Sequence, residues 1–425
     1  MEKNTKKATL DSVVIGAALF AMFFGAGNMI FPPYLGLQAG REWLTAFLGY
    51  YIADIGLALV AMFALIRVQG REPILRPLGT KISTLFMSAI VLCLGPFICI
   101  PRTAATTYEL SIVPLFEKFN MPLFFVLFFA LVLILSINES AVVDIVGKIL
   151  TPVLFLGLIF LIVLGILYPL GPTDTAPVVD SVVATGVQSG YQTMDVLATT
   201  LFGALILNSV ANKGHTQPEQ QIRVALGASI VAGIGLLIVY LGLTYLGATV
   251  STVYNASMDR TQLLILLIQD LMPGRLGILF FGVVVCLACL TTAIALTSSA
   301  AEYFTTLSRV RLQYKGLVTL ICVFSAVISC VGTETIIALA SPILSIVYPP
   351  ILVLVFLSFL RKYVNAWGCR LGALTATACG MIEVLASFGV CSNFLTLLPF
   401  GSMGFGWLLP AVAAIIIGCL IPDKK

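Results

Sequence analysis

Apolar residues fall along this chain in long unbroken blocks, without the alternation of a half-buried strand or the one-sided stripe of a surface helix. The blocks recur from Leu10 to Pro422, and each runs for about 20 residues, enough to cross a hydrocarbon core roughly 30 Å thick. Charged, Pro and Gly punctuation divides them into helices over residues 10–36, 43–66, 82–108, 121–138, 145–169 and 187–210, then 223–248, 277–303, 315–332, 335–360, 366–389 and 403–422. In lipid a backbone must satisfy its own hydrogen bonds, and a continuous apolar block does so as a helix. The pattern predicts an all-α integral membrane protein of about 12 transmembrane helices, with one membrane domain filling residues 1–425. No stretch is left over for a separate nucleotide-binding or catalytic domain.

Composition agrees: 60% of residues are hydrophobic and only 10% charged, against about 25% charged in soluble chains. The net charge of +4 is a matter of placement. With the N-terminus inside, 18 of the 23 Lys and Arg residues fall in cytoplasmic loops or termini, which leaves Arg41, Lys118, Arg260 and Arg275 opposite and Arg102 within a span. Both termini are expected in the cytoplasm, and the basic balance points to no nucleic-acid partner. The basic residues 1–7 lead into a segment too long and too punctuated for a cleaved signal, so it reads as the first retained span. Most cysteines sit inside apolar blocks as small hydrophobes and imply no disulfide framework. The C-x-x-C at Cys286 and Cys289 lacks the second pair or nearby His of a metal site.

Broken spans mark sites, because irregular backbone survives at membrane depth only where it lines a cavity or is buried in protein. The first span reads Phe23-Phe24-Gly25-Ala26-Gly27-Asn28 and on to Pro32-Pro33. Two glycines, a capping Asn and a Pro pair predict an unwound midpoint at Gly25 to Asn28. The sixth span carries Thr199, Thr200, Phe202 and Gly203 at comparable depth, and it corresponds to the first if five helices are followed by five repeating ones. Thr103 to Glu109 in the third span and Thr297 to Tyr303 in the eighth are both hydroxyl/Ala runs closing on an acidic and aromatic pair, as an inverted repeat would place them. The expected repeats cover about 10–169 and 187–360, with accessory helices at 366–389 and 403–422.

Helix N-termini at two midplane breaks suit a carboxylate, and freed carbonyls suit a cation, so a zwitterionic amino acid fits. Candidate solute contacts are Phe24, Gly25, Ala26, Gly27, Asn28, Thr199, Thr200, Phe202 and Gly203, with Phe23 in the same apolar wall. That wall favours a branched aliphatic side chain. Sodium wants oxygen ligands, and carbonyls around Ala21 and Phe24 with the hydroxyls of Thr297 and Ser298 would supply them, Ser299 and Thr292 being further candidates. No other cofactor is expected, and a proton is the alternative coupling ion. Asp54, Arg102 and Glu383 are charges within spans and each needs a partner or water, Asp54 with Arg102 being the structural pairing. Lys148 near the start of the fifth span reads as a snorkelling anchor.

The segment Phe23 to Pro33 resembles the start of the bacterial branched-chain amino acid:cation symporters, the branched-chain amino acid transport system II carriers. The likeness extends through Gly95-Pro96, Pro101-Arg102, the hydroxyl run of the eighth span, Ser341-Pro342 and Tyr348-Pro349-Pro350. It implies sodium- or proton-driven uptake of leucine, isoleucine and valine in a bacterial plasma membrane, through a leucine-transporter-type 5+5 inverted repeat with broken helices 1 and 6. Gly25 to Asn28 then resembles the substrate-carboxylate loop, and Thr297 and Ser298 resemble sodium ligands of the eighth span. Between Asn28 and Phe31 the chain has one residue fewer than the sodium-dependent neurotransmitter-type branch. A membrane enzyme would need a buried catalytic set, yet the only histidine, His215, falls in a predicted cytoplasmic loop and neither H-E-x-x-H nor G-x-S-x-G occurs. The permease subunit of an ATP-driven importer is the other rival; it would borrow its P-loop from a partner. The sequence says nothing of oligomeric state.

Overall fold

A computed structural model describes residues 2–68, 72–116, 118–137, 150–307, 313–389, 398–401 and 404–422. Lys148 lies outside them. The described residues are helical almost throughout, and helix occurs in every apolar block read from the sequence. The first block is two helices, α1 (Glu2–Phe23) and α2 (Ala26–Ala39). The second is α3 (Trp43–Tyr51) and α4 (Leu57–Arg67), joined by a π-helical turn at Ile52–Gly56 that carries Asp54. The third kinks where Pro96 removes a donor and Gly95 leaves helical geometry, then resumes as α5 (Cys99–Thr107).

The sixth block is again two helices, α6 (Val182–Thr193) and α7 (Asp195–Asn212). Long rods follow: α8 (Pro218–Thr249), α9 (Arg275–Leu307) and α10 (Thr333–Phe359), then α11 (Ala366–Ser387) and α12 (Leu408–Cys419). The helix Arg260–Leu271 was not anticipated. Its charged ends hide a short stripe of Leu263, Leu264, Leu267 and Ile268, all buried.

Seven helical stretches of the described residues, from Ala26–Arg67 to Ala366–Ala386, are long and apolar enough to cross a bilayer. The broken pairs form the centre of the bundle: α1 and α2 lie along α8, α6 packs on α3, and α7 packs on α4. Contact between α2 and α8 is backbone to backbone. A Cβ on Gly36 would stand 1.9 Å from the Thr244 carbonyl oxygen, and one on Gly247 would stand 1.8 Å from that of Pro33. Small residues are what let helices meet this closely where lipid supplies no hydrophobic drive. The pair α11 and α12 pack on each other, and α10 links them to the centre.

Candidate functional site

Between α1 and α2 the chain leaves the helix at Phe24 and Gly25, with Gly25 extended at φ −117° and ψ −161°. The two glycines serve different neighbours. A Cβ at Gly25 would lie 2.8 Å from Thr292 Oγ1, and one at Gly27 would lie 2.7 Å from Arg102 Nη2. Each therefore clears space for one polar side chain arriving from another helix, a hydroxyl from α9 and a guanidinium from α5. Phe24 turns away from the break, stacking on Phe20 and Tyr240. Phe23 faces inward against Phe202 of α7, ring centroids 5.3 Å apart.

The second break falls at Met194, which takes the left-handed conformation with φ 70° and ψ 15°. No glycine or proline announces it. Around it gather Asp195 and Thr193, the latter donating to Asp54 Oδ1 at 2.8 Å. Asn28 Nδ2 donates to Asp195 Oδ2 at 2.8 Å and lies 2.5 Å from the Tyr240 hydroxyl, which ties the first break to the second. Arg102 Nη1 donates to the Gln192 carbonyl at 2.8 Å. All four charged or amide side chains, Asn28, Asp54, Arg102 and Asp195, are at most 3% exposed.

These groups enclose a cavity of about 10 Å³ lined by Gly25, Ala26, Asn28, Arg102, Thr193 and Asp195, with Phe23, Phe202, Leu94 and Leu296 as its apolar wall. That is about the space one water needs, so a larger solute enters only with movement of the surrounding helices. Of the predicted contacts, Gly25, Ala26, Asn28 and Phe202 line the cavity, and Gly27 backs it through Arg102.

Four others are not brought there, Phe24 because its ring stacks on Phe20 and Tyr240 instead. Thr199 Oγ1 donates to the Asp195 carbonyl and Thr200 Oγ1 to that of Leu197, the back-bonding of a helical threonine. Gly203 gives room to Leu65 of α4. The break lies five residues before Thr199, so these positions sit on the continuous part of α7. Sequence reasoning passed over Asp195, whose signal was a carboxylate inside a span.

The Ala21 carbonyl accepts from Thr291 Oγ1 at 2.8 Å, and Thr292 Oγ1 donates to the Met22 carbonyl at 3.0 Å. Thr297 and Ser298 lie further along α9, at 1.5 Å of rise per residue about 9 Å from Thr291 to Thr297. They are buried, and neither hydroxyl finds a hydrogen-bond partner among the described residues. The expected Asp54–Arg102 pair is not among the ion pairs of the described residues: Arg102 Nη1 reaches the Gln192 carbonyl and Asp54 accepts from Thr193. Cys286 and Cys289 are free thiols.

A second cavity, of about 790 Å³, opens where α2 ends and α6 begins. Thr185, Gln188, Ser189 and Gln192 share one face of α6 and give this approach a polar side, and Glu383 of α11 also lines it. Arg260 reaches across, its guanidinium over the rings of Phe31 and Tyr34 on α2 and bonded at 2.6 Å to Glu334 on α10. At the opposite end of the bundle polar contacts tie α1 to the turn after α7. There His215 Nε2 lies 2.9 Å from Asp11 Oδ2, Lys213 Nζ is 3.6 Å from Asp11 Oδ1, and both His215 and Asp11 are buried. His215 is thus a fixed interior contact.

This architecture recurs in solved transporters. A Na+-coupled sialic acid symporter, in a substrate-bound outward-open state, superposes with a TM-score of 0.64 over 97% of this chain and 91% of its own, at 14% identity. The nucleobase-cation-symport-1 family transporter MHP1, closed around bromovinylhydantoin, gives 0.65 over 96% and 91% at 15% identity. Likeness at such low identity is likeness of fold. That fold is a bundle whose long apolar helices suit a multi-pass membrane protein, with a cavity between two interrupted helices.

The chain belongs to the branched-chain amino acid transport protein family, whose profile it matches over residues 8–425. The branched-chain amino acid permease BraB of Bacillus subtilis is 35% identical, covering 97% of this chain and 95% of its own length. The branched-chain amino acid transport system 3 carrier protein of Pseudomonas aeruginosa is also 35% identical, over 97% and 96%. The permease BrnQ of Escherichia coli K12 is 32% identical over 96% and 95%. Membership of a family of permeases and carriers makes the chain a transporter rather than an enzyme.

Proposed function

We propose that this protein is a secondary symporter that carries leucine, isoleucine and valine into a bacterial cell with sodium, crossing the plasma membrane in about 12 helices with both termini cytoplasmic. The observation that carries the reading is the cavity at the two breaks, whose lining combines the charged and amide groups Asn28, Arg102 and Asp195 with the apolar Phe23, Phe202, Leu94 and Leu296. An amino acid has that polarity, and a branched aliphatic side chain suits that wall. The names of the family relatives support the substrate class. Breaks in the first and sixth blocks support the 5+5 repeat.

Sodium is favoured by the oxygens where α9 meets the first break. The carbonyls of Ala21 and Met22 face the hydroxyls of Thr291 and Thr292 there, with Phe24 adjoining, and these form the preferred ligand set. Thr297 and Ser298 offer a second pair of hydroxyls on the same helix. Proton coupling has one observation of its own: two buried carboxyl side chains serve the second break, Asp195 at its edge and Asp54 through Thr193.

Uptake of labelled leucine into proteoliposomes separates these readings, with an inward sodium gradient, an inward proton gradient, or neither. Accumulation driven by sodium is the expected result. Accumulation driven by protons alone transfers coupling to the Asp54 and Asp195 pair, and no leucine uptake under any gradient refutes the substrate.

A further inference from the structure

Among the described residues Arg102 is the largest fully buried side chain, at 1% exposure. Its Nη1 is held by the Gln192 carbonyl, while its Nε has no partner. It takes part in none of the ion pairs among the described residues, which engage Asp11 and Glu334. A guanidinium is charged at every physiological pH and is costly to bury without an anion. Cavity lining places it where a solute would sit, and the glycine at 27 keeps the adjoining backbone clear of it. Asp195 lines the same cavity, 3% exposed, with one carboxylate oxygen on Asn28. One small cavity thus holds a buried positive pole and a buried negative pole that are not paired with each other.

We propose that Arg102 is the anchor for the carboxylate of the transported amino acid and Asp195 the anchor for its ammonium. The two residues select the α-amino acid backbone, while Phe23, Phe202, Leu94 and Leu296 select the side chain. A planar guanidinium matches a carboxylate in geometry as well as charge. The solute completes the ion pairing that the protein leaves open, so an analogue lacking either charge leaves one pole buried and unmet. This assignment rests on the branched-chain amino acid reading of the same cavity.

The test is equilibrium binding of labelled leucine to the purified full-length protein in detergent. The competitors are leucine, leucinol (which lacks the carboxylate) and 4-methylpentanoate (which lacks the amine). In the unaltered protein both analogues are expected to compete about 100-fold more weakly than leucine. Arg102→Gln should weaken leucine about 100-fold while changing leucinol little, so that the preference between them collapses, and Arg102→Lys should restore part of it. Asp195→Asn should erase the preference over 4-methylpentanoate.

The analogue comparison on the unaltered protein needs no variant to fold. If leucinol binds it as tightly as leucine, or if Arg102→Gln keeps the full preference for leucine, the carboxylate anchor is overturned while the substrate reading stands. If the unaltered protein binds no leucine, the substrate reading fails and the anchor falls with it.

Discussion

At the residue scale the site depends on two glycines that make room for different partners. Gly27→Val would press a branched side chain onto Arg102 Nη2, already 2.7 Å from a built Cβ. Overpacking of this kind costs about 1–3 kcal/mol, so the variant should still reach the membrane while leucine uptake disappears; transport at matched membrane abundance checks this. The coupling ion makes its own demand. Thr291→Ala with Thr292→Ala removes the hydroxyls facing the Ala21 and Met22 carbonyls. The sodium concentration for half-maximal uptake should rise at least about tenfold, the equivalent of about 1.4 kcal/mol. Thr297→Ala with Ser298→Ala should shift it less. An equal or larger shift in the second pair would move the cation along α9.

These hydroxyls show how far the sequence could be read. Thr291 and Ser298 are seven residues apart and so share a helix face. The sequence names the face but not the depth, and depth alone decides which hydroxyl meets the first break.

At the scale of elements, helices were legible because long apolar blocks admit almost no other structure in lipid. The first break was legible through Gly25, but it is shorter than the expected Gly25 to Asn28 stretch: the helix resumes at Ala26, so Gly27 and Asn28 are helical and only Phe24 and Gly25 leave the ladder. The second was not. Met194 adopts a left-handed backbone that ordinary side chains avoid at a cost of about 1–2 kcal/mol, and the geometry of α6 and α7 around it imposes that choice. The helix Arg260–Leu271 escaped notice because its apolar stripe is short. Yet its first residue spans the mouth of the larger cavity, bonding Glu334 and covering Phe31 and Tyr34. The pair is partly exposed, with side chains 27% and 35% accessible, and contributes at most about 1 kcal/mol to stability. Glu334→Gln should therefore leave the melting temperature nearly unchanged and speed leucine dissociation about fivefold. Unaltered release in a binding-chase experiment would show that the pair is ornamental to the mouth.

At the scale of the whole molecule the two ends of the bundle differ: the larger cavity opens beside α2 and α6, while at the other end polar contacts tie the helices together. That second end, cytoplasmic in the proposed orientation, joins α1 through Asp11 to the turn after α7 through Lys213 and His215, and alternating access would require the tie to part. Asp11→Ala would leave His215 buried without its partner, a loss of about 1–3 kcal/mol. It should favour the form open to the cytoplasm, seen as faster leucine efflux from preloaded proteoliposomes. Efflux equal to that of the unaltered protein would mean that the closure rests elsewhere.

The sequence contains one histidine, and it lies in that closure. A single spectroscopic and chemical reporter thereby sits where α1 meets the turn after α7. Modification by diethylpyrocarbonate, or one imidazole resonance, can time the parting of that contact in the unlabelled protein, against leucine and sodium, without engineering a probe.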